Sequence, residues 1–500
     1  MSNPNKPAKG KKQNGLFNTT TLKRKTSANA QVANLRFSDK TQASKTKVSK
    51  AKATSSAASN PAASGNNSSL NSSPSQKHTQ LLIESLDWMG QGIARTTPVH
   101  FVEGALPGET CDISVLQAKK NVVNAKATAI THPSSMRATP FCPVFDQCGG
   151  CQLQHIDAQY ALTERDNALK SMMVRQLAME DGVWQAPLSG AKPAYRRKAR
   201  LAVDARRMDK LKLGFRSQAS NEIVDITSCP VLTDELSRLI TPLRAVLSSC
   251  ESTKWIGHIG LLAGDNVCQV TIKHVKAISH ELYNELIVFA KQERINVVLE
   301  NKKGRCNILH RQATLTMSSF DEFTLSPAPN DFVQVNKYVN NQMIEQALNW
   351  LAPKPQERIA DWFSGLGNFT LSIAKRVAVV QAVEGVAEMV QRARDNAQQQ
   401  GVHNIEWLHL DLSNNKNVSD ALNGGFDKVL LDPSREGALI VCQALVNAKP
   451  STIVYVSCNP STFTRDANVL IQGGYLMKKA GAVEMFPYTH HMEMMALFTR

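Results

Sequence analysis

Apolar and polar positions are distributed unevenly along this chain, and the changes in pattern mark its segments. Residues 1 to 73 are dominated by Ser, Ala, Asn, Thr and Lys with very few large apolar side chains. Ordering such a segment costs more conformational entropy than its burial returns, so it reads as a disordered tail. From about Gln80 to Ala138 short apolar alternations replace it, at Leu81 to Leu86, Val99 to Phe101, Cys111 to Leu116 and Asn124 to Ile130. Turns containing Gly90-Gln-Gly92 and Pro107-Gly108 separate them, a spacing that predicts a small five-stranded barrel. A helix is predicted from about Ala158 to Leu177, and further strands follow to about residue 325. Tyr195 to Arg200 and Leu213 to Arg216 read as a hairpin mixing aromatic and basic side chains, a combination suited to single-stranded RNA as well as to an ordinary solvated surface.

Beyond about residue 326 the chain reads as short strands, turns and helix starts, a parallel-centred α/β sheet with functional groups at its carboxyl edge. Several strands end in an acid. Arg358 to Trp362 leads into Phe363-Ser-Gly-Leu-Gly-Asn-Phe-Thr370, and the next strand, Val379 to Val383, ends at Glu384, 23 residues after Asp361. Ile405 to Leu410 ends at Asp411, and Lys428 to Leu431 at Asp432-Pro-Ser-Arg435. A core strand gains nothing from a terminal carboxylate. An acid at that remove from a Gly-x-Gly turn is placed to accept hydrogen bonds from ribose hydroxyls. The turn alone also suits a dinucleotide-binding domain, and Thr370 stands where that fingerprint has its third glycine. Such a domain has no use for the two groups that follow, Cys458 in Ser-Cys-Asn-Pro and Glu493 in His-His-Met-Glu. A thiolate adding to carbon 6 of uracil makes carbon 5 nucleophilic, and a base must afterwards remove the carbon-5 proton. Cys458 fits the covalent catalyst and Glu493 the base.

Charge changes the picture little outside the tail. The chain is +16, of which +12 falls in residues 1 to 72. The tail therefore reads either as a solubility segment or as an arm adding salt-sensitive RNA affinity. In the barrel, Lys119, Lys120 and Lys126 are candidates to track phosphates. The ten cysteines, with no secretory signal and no apolar run long enough to span a membrane, suit a reducing cytoplasm. Cys142, Cys148 and Cys151 lie within ten positions and can converge on one metal centre. Zinc usually takes a second Cys or His pair, and the nearest histidine is a lone His155. A [4Fe–4S] cluster needs a fourth thiolate.

The late motifs together resemble the RNA uracil-C5 methyltransferases, with their Asp-x-Phe-x-Gly-x-Gly-x-Phe, Asp-Pro-x-Arg and Ser-Cys-Asn-Pro loops and C-terminal base in order. The 35 residues from Cys458 to Glu493 match the family's spacing, and Phe332-Val-Gln-Val-Asn336 matches the segment that opens its catalytic domain. The resemblance implies a class I (Rossmann-like) methyltransferase domain over 326–500. It implies S-adenosylmethionine held by Gln334, Phe363, Asn368, Glu384, Asp411 and Asp432. It makes Cys229 the fourth ligand of an iron–sulfur cluster with Cys142, Cys148 and Cys151, inside a central α+β iron–sulfur and RNA-binding domain at 139–325. Residues 74–138 are similar to the OB-like TRAM domain. A TRAM-like domain joined to a cysteine cluster points to the branch acting on 23S ribosomal RNA, with no membrane or obligate protein partner. Methylation of tRNA is the alternative, and a cytosine methyltransferase or a non-catalytic iron–sulfur RNA-binding protein are the others. Two positions depart from the family: Ser364 stands where Cys is frequent, and Glu436 where a small residue is usual.

Overall fold

In the computed structural model, which describes residues 80–500 apart from 219, the early alternations form one sheet. Its order is Leu81–Leu82, Thr110–Ala118, Val122–Thr131, Val99–Glu103, Gly92–Ala94 and Ser85–Leu86. The stretch expected as one strand from 81 to 86 is broken in the middle. Ile83 N–H donates to the Glu109 carbonyl while Glu84 N–H donates to the Ile93 carbonyl, so the two halves supply opposite edges and close the sheet. Counted as passes of the chain, five strands make the barrel. Gly92, expected in a turn, begins a strand. A Cβ there would meet the Ala105 carbonyl oxygen at 2.9 Å, so close backbone approach requires glycine. The tail and its suggested RNA role lie outside the described residues.

The helix expected near 158–177 spans Ala158–Leu177, capped by Asp157, whose side chain accepts from the amides of Gln159 and Tyr160. Leu162, Leu169, Met173 and Leu177 on this helix belong to the same core as Trp362 and Tyr455 of the C-terminal sheet and Phe463 of a helix packed on it. The segment after it runs along that sheet's edge: Gln185 N–H donates to the Ala480 carbonyl and Leu188 N–H to the Ala482 carbonyl. The central region thus covers an edge that would otherwise be open.

A second sheet of seven strands holds the predicted hairpin, in which Lys198–Asp204 pairs antiparallel with Lys212–Arg216. The hairpin's aromatic and basic residues do not all face solvent. Tyr195 and Arg197 are buried, Tyr195 with its hydroxyl donating to the Pro487 carbonyl, so neither offers a stacking surface. Arg200 is exposed.

The third sheet follows the order Ile405–His409, Val379–Glu384, Arg358–Trp362, Lys428–Leu431, Thr452–Ser457, Glu493–Thr499 and Leu476–Val483. The first five are parallel, and Glu493–Thr499 runs antiparallel to both its neighbours. Two apolar cores lie against it, one with Trp362, Tyr455 and Phe463 and the other with Met343, Ile359 and Val454, which is why its central strands read as continuous apolar runs. Functional groups collect at the carboxyl ends of the parallel strands, where such sheets bind ligands. No described helix is long and apolar enough to cross a membrane.

Candidate active site

The turn after Arg358–Trp362 is built to bring backbone close to a ligand. Phe363, Gly365 and Gly367 all have positive φ, at 68°, 60° and 90°. A non-glycine residue held there stores strain of the kind found at binding sites. The loop is closed from below by Thr370, whose hydroxyl donates to Asp361. The residue that departs from the glycine fingerprint therefore pins the loop to the strand. Asp361 is fully buried, and its other carboxyl oxygen has no partner. Burial, reinforced by Glu384, pushes its pKa up to about 7.

One pocket beside this loop is lined by Gln334, Phe363, Asn368 and Asp432 together with Arg197 and Gly365. Four of the six residues expected at the donor site therefore meet. Glu384 stands next to them, its carboxylate accepting from the amides of Gly365 at 3.1 Å and Val386 at 3.0 Å. Asp411 is not brought to the lining. It is exposed, and its carboxylate accepts from the Ser413 amide and hydroxyl, which hold it below the usual carboxylate range. Asn368 and Asn340 exchange side-chain amide hydrogen bonds at 2.9 and 3.1 Å, a pairing that orients Asn368 and that its own motif does not reveal. Ser364 is buried and its amide donates to the Val383 carbonyl, so serine is accommodated where the family often has cysteine. Glu436 is exposed and offers its carbonyl to Arg465.

Cys458 follows one strand and Glu493 begins the strand beside it, close enough for the carboxyl to act on the thiol. Ser457 pairs with Met494 as the last step of the antiparallel register, which leaves Cys458 just past one strand end and Glu493 at the start of the other. The Ser-Cys-Asn-Pro sequence has a local reason. Ser457 accepts from the Asn459 amide, Asn459 caps the following helix by accepting from the Ser461 amide, and Pro460 starts that helix. Asn459 also donates to the Arg435 carbonyl, tying the thiol's loop to the Asp-Pro-Ser-Arg loop.

The site is electrostatically tense. Burial, and then Asp432, pushes the Glu493 carboxyl up to about 8. Asp432 is pushed up to about 7 by burial and Asp361. The Cys458 thiol is pushed up to about 12 by burial, Glu493 and Asp432. Arg435 works against the shift at both Cys458 and Glu493. Sequence motifs named Arg435 only as part of a loop, and its electrostatic role appears once the strand ends are assembled. Buried acids gathered around a thiol, each displaced toward neutrality, are suited to moving protons.

Away from this site, Cys142, Cys148, Cys151 and Cys229 line one cavity, Cys142 the most accessible of the four. Burial raises the thiols of Cys148, Cys151 and Cys229, Cys151 to about 12, and neighbouring cysteines raise each further. Among the described residues no set of three His, Cys, Asp or Glu side chains is arranged to hold a metal ion. His155 is buried, with its ring 6.0 Å from that of Phe145.

This geometry is that of a methyltransferase fold carrying a cysteine and a glutamate at strand ends near the pocket that Asp432 lines. The chain belongs to the tRNA (Uracil-5-)-methyltransferase family, whose model matches residues 157–500, and a TRAM domain matches residues 78–128. It is 58% identical to a 23S rRNA (uracil(1939)-C(5))-methyltransferase RlmD of Alteromonas mediterranea over 100% of this chain and 99% of that protein. A protein of the same name from Shewanella sediminis is 40% identical, over 84% of this chain and 95% of the relative. Among solved structures, the Pyrococcus abyssi tRNA (uracil-54, C5)-methyltransferase in complex with S-adenosyl-L-homocysteine superposes with a TM-score of 0.66. It is 23% identical and covers 84% of this chain and 100% of its own, a likeness of fold.

Proposed function

We propose that this protein methylates carbon 5 of a uridine in 23S ribosomal RNA, using S-adenosylmethionine. The observation that carries the reading is that Cys458 and Glu493 lie at the ends of neighbouring strands, with Asp432 acting electrostatically on both. The choice of RNA rests on the similarity to the relatives of that name over essentially the whole chain. Residues 74–138 and 139–325 are read as the RNA-holding modules in front of a catalytic domain at 326–500.

The donor pocket fits its ligand. Glu384 is oriented by two amides at a strand end, the glycine turn leaves backbone exposed, and Gln334, Phe363, Asn368 and Asp432 converge on the same space, with Asp411 at the next strand end. S-adenosylmethionine held there supplies an electrophilic methyl group to carbon 5. Cys458 gives up its S–H proton to water entering with the substrate, its thiolate forms a bond to carbon 6 of the uracil, and the electron pair of the 5,6 double bond moves toward carbon 5 and the carbonyl. Glu493 later takes the carbon-5 proton, the double bond re-forms and the Cys458 thiolate leaves. Asp432, when ionised, can accept from uracil N3–H, a donor that cytosine lacks. The target base must be flipped out to reach Cys458, at a cost of a few kcal/mol. The test is methylation of a 23S fragment against a tRNA, mapping the modified nucleotide. Uracil-C5 methylation of the 23S fragment alone is the expected result, and preferential methylation of the tRNA would overturn the choice of RNA.

What supports a [4Fe–4S] cluster is that the four cysteines line one cavity, which gives the four thiolates such a cluster needs. Anaerobically purified protein is expected to be brown with about four irons per chain. Cys148→Ser, Cys151→Ser or Cys229→Ser should each lose iron, measured by metal analysis. Stoichiometric zinc without iron would refute the assignment.

A further inference from the structure

The short loop Phe486 to Met492, which leads into Glu493, is braced internally by Thr489, whose amide and hydroxyl donate to the Phe486 carbonyl and whose hydroxyl accepts from the His491 amide, and is tied to parts of the chain outside the catalytic domain at four further residues. The Pro487 carbonyl accepts from the Tyr195 hydroxyl at 3.2 Å. The Tyr488 carbonyl accepts from the amides of Gln152 and Leu153 at 2.8 and 3.0 Å, and Tyr488 itself is held at a φ of 65°. His490 Nδ1–H donates to the Met89 carbonyl of the barrel at 2.7 Å. The His491 carbonyl accepts from Arg165 Nη2 at 3.0 Å, while Arg165 Nε donates to the Trp88 carbonyl at 3.0 Å.

Arg165 is the joint of this arrangement. It lies on the Ala158–Leu177 helix at 0% exposure, and a guanidinium carried so far from water is costly unless its donors are met in good geometry. Here one donor meets the barrel and another meets the loop two residues before Glu493. The Trp88 and Met89 carbonyls are presented by a turn that Asp87 fixes, accepting from the amides of Met89 and Gln91 at 2.9 and 2.8 Å. On the far side, His491 Nε2 lies 3.3 Å from Arg435 Nη2, so the same residue touches the loop whose cation acts on Cys458 and Glu493.

We propose that Arg165 is a positioning residue for the catalytic base: it locks the TRAM barrel to the Phe486–Met492 loop, so that the barrel's docking sets the place of Glu493. The barrel then contributes to proton abstraction as well as to RNA affinity. The inference rests on the reading of Glu493 as the base. A base displaced by about 1 Å can lose about 10²-fold in rate. The bonds of Thr489 shape the loop internally, while its placement relative to the barrel and the Ala158–Leu177 helix is set by the outside donors and acceptors at Pro487, Tyr488, His490 and His491.

The full chain carrying Arg165→Met, which keeps bulk and removes both donors, is compared with the wild type, Arg165→Lys and His490→Ala in single turnover on a 23S fragment. Methyl transfer to RNA, the RNA–protein adduct and free methylated RNA are followed separately. Release of free product is expected to slow about tenfold to 10²-fold in Arg165→Met. Methylated adduct should accumulate, RNA affinity should stay within about twofold, and Arg165→Lys should recover part of the release rate. His490→Ala removes the second tie from the loop side and is expected to give the same pattern in milder form. It decides the matter alone if Arg165→Met does not fold. Unchanged partition in both variants, or equal loss of methyl transfer and release, overturns the proposal. Glu493→Gln run alongside separates the two readings. If it accumulates methylated adduct and the positioning variants do not, only the role of Arg165 fails. If it accumulates none, the assignment of the base fails first.

Discussion

Cys458→Ala is expected to bind the 23S fragment with unchanged affinity and to methylate none of it, a loss on the order of 10⁴-fold or more, as when a covalent nucleophile is removed. The thiol does its work in a bond that no neighbour can form. In the free protein it is no ready thiolate, since burial and the carboxyls of Glu493 and Asp432 hold it near 12. Activation therefore depends on the substrate entering the site. A uracil ring displaces water and offers an electrophilic carbon, and Arg435 is the nearby cation that favours the anion. With 5-fluorouracil-substituted RNA the wild type should be trapped covalently, because fluorine cannot leave carbon 5 as a proton does. The alanine variant should give no such band on a denaturing gel. Detectable methylation by Cys458→Ala would remove this residue from the mechanism.

The C-terminal sheet, and those candidate groups that close its parallel strands, were legible from the chain, whereas Glu493 begins its strand and Gln334 and Asn368 lie outside strands. Asp361, Glu384, Asp432 and Cys458 follow apolar runs, and a polar residue closing a buried strand has few structural reasons to be there. Asp411 follows the same rule and yet lies outside the pocket lining, since its strand is at the sheet's edge and its carboxylate turns to Ser413. The same rule could not show what holds these groups. Asn340 is 28 residues from its partner Asn368, and Arg165 is 326 residues from His491. Such pairs depend on how the sheets are assembled, which local pattern does not encode. Tyr195 and Arg197 misled for a related reason. A basic and aromatic run looks like an RNA surface until its strand is seen to be covered on one face, where Tyr195 reaches Pro487 and Arg197 reaches the Gln334 carbonyl. The barrel was readable in outline, but its closure through the broken 81–86 strand needed the hydrogen bonds of Ile83 and Glu84.

Glu493→Gln separates base from nucleophile most sharply. The glutamine variant keeps the shape of the site and can still present Cys458 to carbon 6, so attack and methyl transfer should proceed. Proton abstraction should fail, a loss of about 10²- to 10⁴-fold in release of free product. The expected signature is an RNA-linked protein band that already carries the methyl group. The pH dependence follows from the same side chain. Burial and Asp432 raise Glu493 to about 8, and only its ionised form can take a proton. Product release by the wild type should therefore rise with pH up to about 8 and level off above it, falling about tenfold per pH unit on the acid side. Glutamine does not titrate, so the variant's residual release should lack that limb. Arg435→Met removes the cation that opposes the shift and should move the limb to higher pH. Normal turnover by Glu493→Gln, or a stall before the methyl group reaches the RNA, would show that another group removes the carbon-5 proton.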